Sequence, residues 1–136
     1  MKHILKSEKF VLNIVPEIFE GDIKYSSNTI MEIKVQSDGF SANTTMDIDI
    51  KQFAKFSADL CGIYETLSGE ARIEEPYGMH MYLCFAGNGR GHITIKGYLH
   101  KGDGTGNQSL EFENDIDQTY LKEFCYDLKN SYSKYL

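Results

Sequence analysis

The sequence predicts an α+β domain: a twisted, mostly antiparallel sheet of about six to seven strands, with two helices packed on one face. Three observations lead there. Over most of the chain apolar and polar residues alternate, the period of a half-buried strand. In two windows, about 50–68 and the stretch after Asp117, the apolar spacing changes to three and four, the period of an amphipathic helix. Short turn signals such as "SDG" (Ser37 to Gly39) join neighbouring alternating windows, which suits antiparallel partners.

The elements follow in order. In 10–15, Phe10, Leu12 and Ile14 share a face; in 30–36, Met31, Ile33 and Val35 do, with Glu32 and Lys34 opposite. After the "SDG" turn, Phe40, Ala42, Met46 and Ile48 take inner positions. Phe53, Phe56, Leu60, Ile63 or Tyr64, and Leu67 then mark the first helix, with Asp49 as N-cap and Gly69 as its stop. Strands resume at about 70–75, 79–86, 91–100 and 108–116. A second helix follows Asp117, with Leu121, Phe124, Leu128, Tyr132 and Tyr135 inward.

The two helix starts resemble each other. "DIDIKQFAKFSADLCGIYETL" (47–67) laid over "DIDQTYLKEFCYDLKNSYSKY" (115–135) matches at seven of 21 positions, at an offset of 68 residues. The matches are both "DID" triplets, Phe56/Phe124, Asp59/Asp127, Leu60/Leu128 and Tyr64/Tyr132. One reading is an internal duplication of a βββα unit, with half-repeats 1–68 and 69–136 inside a single 136-residue domain. The other is convergence of two helices that leave two strands with similar caps and core spacing.

The stretch "AGNGRGHITIKG" (86–97) has the look of a phosphate-binding loop. Such a loop works by opening a helix, whose first N–H groups receive the anion. Here both flanks alternate, "MHMYLCFA" before and "HITIKGYL" after, so the segment reads as a hairpin turn. A turn centred on Gly89 pairs Ala86 with His92, Cys84 with Thr94, Tyr82 with Lys96 and His80 with Tyr98. That places Met79, Met81, Leu83, Phe85, Ile93, Ile95 and Leu99 on one face. On the next hairpin, Leu99 opposite Leu110 puts Lys96 beside Glu113 and Tyr98 beside Glu111 as solvated cross-strand pairs.

Other chemistry is thin. His80, His92 and His100 fall on the outer face, His80 and His100 as diagonal neighbours, but His92 lies near the opposite end of the hairpin. Three ligands do not converge, so no metal and no cofactor are expected. Cys61, Cys84 and Cys125 form no C-x-x-C pair and fit buried thiols in a reducing compartment. There is no G-x-S-x-G elbow, and no enzyme is expected. "FVLNIV" near the start is too short and lacks the cleavage site of a signal peptide, and no apolar run approaches a membrane span. A net charge of −6 disfavours nucleic acid and anionic membranes as partners and suits a basic protein.

What remains is surface. "VPEIFEGDIKYSSN" (15–28) is longer than a strand connection needs. It sets Ile18, Phe19 and Tyr25 among Glu17, Glu20 and Asp22, apolar anchors within an acidic rim. These six residues are the candidate binding site; the competing reading is a loop folded back to cap the sheet edge. A different class of function, a small-ligand module on the outer sheet face around His80, Tyr82, Lys96 and Tyr98, stands as the alternative.

Several segments carry a resemblance. "FVLNIV", "YSSNTIMEIKV", "GFSANTTMDI", "IYETLSGEARIE", "GNGRGHITIKGYL" and "LEFENDIDQTYLKEF", in this order from Phe10 onward, resemble the WapI-type immunity proteins of bacterial polymorphic-toxin systems. The chain departs before the second strand, where the family often carries a tryptophan-rich segment and this sequence has "DIKYSSNTI". The resemblance implies a cytoplasmic antidote without chemistry of its own. It would bind the C-terminal toxin domain of a cell-surface or secreted toxin, often a basic nuclease, and block it one to one. It also implies that Gly69, Gly87, Gly89, Gly91 and Asp117 are fold-determining turn and cap positions.

Overall fold

The computed structural model describes residues 1–136. The fold is α+β, as the periodicities indicate, but it holds eight strands in two sheets. Strands β1 (His3–Lys6), β2 (Phe10–Ile18), β3 (Thr29–Ser37) and β4 (Phe40–Ile48) form one antiparallel meander, followed by helix α1 (Ile50–Thr66). Strands β5 (Ser68–Glu74), β6 (Tyr82–Asn88), β7 (His92–Gly102) and β8 (Asn107–Asp117) form the second. A 3-10 turn (Gln118–Leu121), helix α2 (Lys122–Tyr132) and a last 3-10 turn (Ser133–Tyr135) complete the chain. Each half therefore runs ββββα, one strand more than the βββα unit expected.

Two corrections follow from this. β1, "HILK", is only four residues long, too short to show a period of its own. It exists because β2 offers a partner edge, with His3 opposite Ile14 and Leu5 opposite Leu12. The single expected sheet is split because α1 leaves β4 and carries the chain about 26 Å before β5 begins. β5 then pairs only with β6, so no ladder joins the halves.

Helix α1 starts where Asp49 accepts the Lys51 N–H at 3.0 Å. It stops at Leu67, not Gly69: Leu67 itself takes the left-handed conformation (φ +65°), and its N–H donates to the Ile63 carbonyl. The Leu67 carbonyl then accepts the Gly89 N–H at 2.7 Å, so the 88–91 turn clasps the end of α1. Gly87 makes this approach feasible, since a Cβ there would lie 2.5 Å from the Leu67 oxygen. Asp117 opens the second helical segment as expected, accepting the Thr119 N–H at 2.9 Å.

Both sheets turn their apolar alternation to one core of 31 buried residues. Between the layers, Phe85 on β6 stands 5.7 Å edge-on from Phe56 of α1 and 6.5 Å, stacked, from Phe124 of α2. The sheets meet directly where Phe10 packs on Phe112 at 5.6 Å. Thr44 Oγ1 donates to the His100 carbonyl at 2.7 Å, and Asn114 donates to Ser37 Oγ at 2.8 Å.

β1 is fixed by a polar contact that periodicity does not reveal. The His3 ring is buried between helix residues, its Nδ1 2.5 Å from an Asp127 carboxylate oxygen and its Nε2 2.7 Å from the Tyr132 hydroxyl. With Nδ1–H donating to Asp127, Nε2 accepts the tyrosine proton and every polar atom is satisfied. Burial, then the Asp127 charge, pushes the Tyr132 hydroxyl up to about 12, so it stays a donor throughout the neutral range. His3→Ala strands that hydroxyl in the interior and is expected to cost about 1–3 kcal/mol. Urea melts of H3A and of Tyr132→Phe check this. Tyr132→Phe leaves the buried His3 Nε2 without its donor, and H3A strands the hydroxyl and also removes the packed ring, so both should lose stability and H3A more.

Candidate functional site

The 19–28 connection is the longest loop of the first sheet, and it is ordered from within. Phe19 N–H donates to the Asn28 carbonyl at 2.8 Å, closing the loop at its neck, and Glu20–Asp22 form a single 3-10 turn. The pin is Asn28, fully buried. Its amide donates to the carbonyls of Ile23 (3.3 Å) and Tyr25 (2.8 Å) and to Asp49 Oδ1 (3.1 Å), while its oxygen accepts from Thr29 Oγ1 and from the Ile50 N–H. One side chain thus satisfies loop carbonyls and the first turn of α1 together.

Of the six residues singled out in the sequence, five lie on the outside of this loop and its approach. Glu17 is exposed near the end of β2, opposite Ile30. Phe19 and Tyr25 are 38% and 57% exposed, with Lys24 Nζ 5.3 Å above the Tyr25 ring. Asp22 is exposed. Glu20 accepts a 2.8 Å hydrogen bond from the Tyr135 hydroxyl, which ties the loop to the end of the chain. Ile18 instead is half-buried and packs against the core.

Sequence periodicity missed a second exposed feature. "MHM" (79–81) reads there as strand, but β6 begins only at Tyr82. The 75–81 segment is a loop closed by a hydrogen bond from Glu75 N–H to the Met81 carbonyl at 2.8 Å. Met81 is buried, whereas Met79 is 49% and Tyr77 65% exposed, and His80 sits at φ +56°. The Pro-Tyr-Gly triplet at 76–78 was the available signal, a turn composition that outranks a short alternation.

The β6–β7 pairing also differs by two residues: Tyr82 faces Tyr98, Cys84 faces Lys96 and Ala86 faces Thr94. A shift of two keeps every side chain on its face, so the inner set from Met81 onward is as expected. The turn is centred on Arg90 and not on Gly89, and Asn88 Oδ1 holds it by accepting the N–H groups of both Arg90 (2.7 Å) and His92 (3.2 Å). On β7–β8 the expected register holds, with Lys96 3.3 Å from Glu113.

No group of three or more His, Cys, Asp and Glu side chains gathers in a geometry that would hold a metal. The outer face proposed for a small ligand is internally paired. Arg72 stacks 4.1 Å over Tyr82 and reaches Glu74 at 3.4 Å, Lys96 is taken by Glu113, and His80 lies outside the strand. Cys61 and Cys125 are buried, Cys61 Sγ donating to the Cys125 carbonyl at 3.2 Å, and burial pushes the Cys125 thiol up to about 12. Cys84 is half-buried and also raised, chiefly by burial.

The sequence model of the immunity protein WapI-like family matches residues 3–136. The chain belongs to that family. No curated protein is detectably similar to this WapI-like chain. Among solved structures it is similar in fold to WHY3 from Arabidopsis thaliana, at 10% identity and a TM-score of 0.51, over 96% of this chain and 85% of that one. It is similar also to the plant transcriptional regulator PBF-2, at 9% identity and a TM-score of 0.50, over 100% of this chain and 81% of that one. Both likenesses concern the path of the chain.

Two outcomes are expected. Asn28→Ala removes the loop's pin and two partners of the α1 start, so protease cleavage within 19–28 should rise and stability should fall by about 1–3 kcal/mol. Limited proteolysis with mass spectrometry and a thermal melt read both. For the thiols, Ellman's reagent at pH 8 should find Cys61 and Cys125 unreactive in the native protein and Cys84 slow, with all three free cysteines reacting once the chain is unfolded.

Proposed function

We propose that this WapI-like protein neutralises a cognate bacterial toxin domain by one-to-one occlusion in the cytoplasm, without chemistry of its own. The observation that carries this reading is the family match over residues 3–136. No helix is long and apolar enough to cross a membrane. Several groups able to do chemistry serve the fold instead: His3 is paired with Asp127 and Tyr132, Lys96 with Glu113, and the thiols of Cys61 and Cys125 are buried.

The net charge of −6 supports a basic partner, and a nuclease toxin is the favoured one. An acidic inhibitor meets such a target quickly, because opposite fields steer the encounter before contact. Inhibition by occlusion then needs a surface already set in its bound shape, since ordering a loop on binding subtracts from affinity. The 19–28 loop meets that requirement through Asn28 and presents Glu17, Phe19, Glu20, Asp22 and Tyr25 outward; Ile18 supports it from beneath.

The test is calorimetric titration with the toxin domain encoded immediately upstream, at moderate salt. Tight equimolar binding that abolishes toxin activity is expected. Phe19→Ala, Glu20→Lys and Asp22→Lys should each weaken it by more than about 1 kcal/mol, roughly fivefold. Melting temperature should be nearly unchanged for Phe19→Ala and Asp22→Lys and slightly lower for Glu20→Lys, which also loses the Tyr135 hydrogen bond. Unchanged affinity in all three would remove the loop from the interface.

A further inference from the structure

The geometry points to a two-loop recognition surface: the 75–81 loop joins the 19–28 loop across the start of α1, and together they receive a basic face of the toxin domain. This rests on the toxin-binding reading above and adds to it a second loop, an anchor residue and the chemistry each requires of the partner.

Both loops are fastened to the same short segment, Asp47–Gln52. Asn28 grips Asp49 and Ile50 from one side. From the other, Glu75 Oε2 accepts the Asp47 N–H at 3.1 Å, and Gln52 donates to the Glu74 carbonyl at 3.4 Å. Between the loops, Glu17, Ile30 and Asp47 stand side by side on three adjacent strands, all exposed. At about 4.8 Å per strand this spans about 10 Å from Glu17 to Asp47, and Glu75 lies one contact further.

Composition matches too. Tyr77 (65% exposed) and Met79 (49%) extend the apolar anchors that Phe19 and Tyr25 begin, and tyrosine and methionine are enriched where proteins meet. Around them stand Glu17, Asp22 and Asp47. Apolar centres within acidic surroundings fit a partner that offers lysine or arginine around an apolar patch.

Glu75 supplies the specific anchor. It is 9% exposed and lines an open groove of about 740 Å³ with Met79, His100 and Lys101. One carboxylate oxygen is held by Asp47; the other, beside Gly78, accepts no hydrogen bond from the chain. Burial pushes this carboxyl up from its ordinary value and the Asp47 charge adds to that, while the Asp47 N–H, His80 and His100 draw it back. An acid raised on folding favours the fold below its unfolded value, and that contribution is lost as pH rises through the folded value. In its ionised form the Glu75 carboxylate therefore opposes folding. A partner cation entering the groove adds to the positive groups already near it, His80, His100 and Lys101, none of which is within ion-pair distance of the Glu75 carboxylate.

That sign separates recognition from structure. Glu75→Gln keeps an oxygen for the Asp47 N–H and removes the charge. It should melt no lower than wild type at pH 7 while binding the upstream toxin domain roughly tenfold more weakly. Tyr77→Ala with Met79→Ala should lose at least as much, with the melting temperature held. Phe40→Ala is the control, an aromatic 69% exposed at the far end of β3 and β4, about 25 Å away; it should bind within about twofold of wild type. If wild type binds and the Tyr77, Met79 and Glu75 variants match it, the second loop is not part of the surface, though the toxin-binding reading stands. A Phe40 loss equal to theirs overturns the assignment in the same way. If wild type does not bind a folded, active toxin domain, the functional reading fails and this inference falls with it.

Discussion

The rest of the structure depends on one buried ring, Phe85. It projects from the second sheet between Phe56 of α1 and Phe124 of α2, touching one by its edge and the other by its face. Those two phenylalanines occupy matching positions when residues 47–67 are laid over 115–135, so one ring contacts both members of that match. No strand ladder connects the sheets. The halves are held by this aromatic layer, by Phe10 on Phe112, by inter-sheet hydrogen bonds from Thr44 and Asn114, and by the His3 and Asp47 contacts to Asp127, Tyr132 and Glu75. Such a layer tolerates little change in volume, because a lost ring leaves a cavity that rigid sheets cannot close. Gly97 shows the same tightness from the other side: a Cβ there would run into the Phe112 ring.

Local rules made much of this readable. Asp49 and Asp117 sit before a change of period, and both cap as that position requires. The inner faces of most strands were legible because a period-two pattern fixes which side is buried even when the pairing partner is not known. Phe40, read as an inner position, is the exception, 69% exposed at the very start of β4 beside the turn. The β6–β7 hairpin makes the distinction plain, since its register differs by two while its inner set from Met81 onward does not change. Illegible were features decided by contacts distant in sequence. β1 depends on β2 and on a histidine reaching residues 124 and 129 positions away. The division into two sheets depends on where β5 goes after α1. Leu67 takes a left-handed conformation that composition assigns to glycine, and its carbonyl is held there by the Gly89 N–H, with room left by the missing side chain of Gly87.

The candidate surface divides along the same line. The length and mixed composition of 15–28 were visible, and five of its six marked residues do stand outward. Asn28, which makes the loop a fixed shape, is one polar residue in a polar stretch and carries no signal until Asp49 and Ile50 are beside it. The 75–81 loop was hidden by its own alternation, since Met79 and Met81 mimic a strand face. Only the placement of Asp47 beside Glu75 brings the two loops into one neighbourhood.

The management of strand edges bears on how such a protein can recognise another. An unpaired edge invites a partner's strand, and each of the four edges here is engaged or charged. β5 lies along α1, and β4 packs against β7 and β8. β1 is four residues long and held to α2 through His3. β8 carries Glu111, Glu113, Asp115 and Asp117 outward along its length. Backbone pairing with a partner is therefore disfavoured, and recognition falls to side chains. The apolar side chains most exposed beside acidic groups on fixed loops are those around the start of α1. In the proposed role, a surface built on pinned loops lets its side chains vary while Asn28, Asp49 and the Phe85 layer keep the frame unchanged.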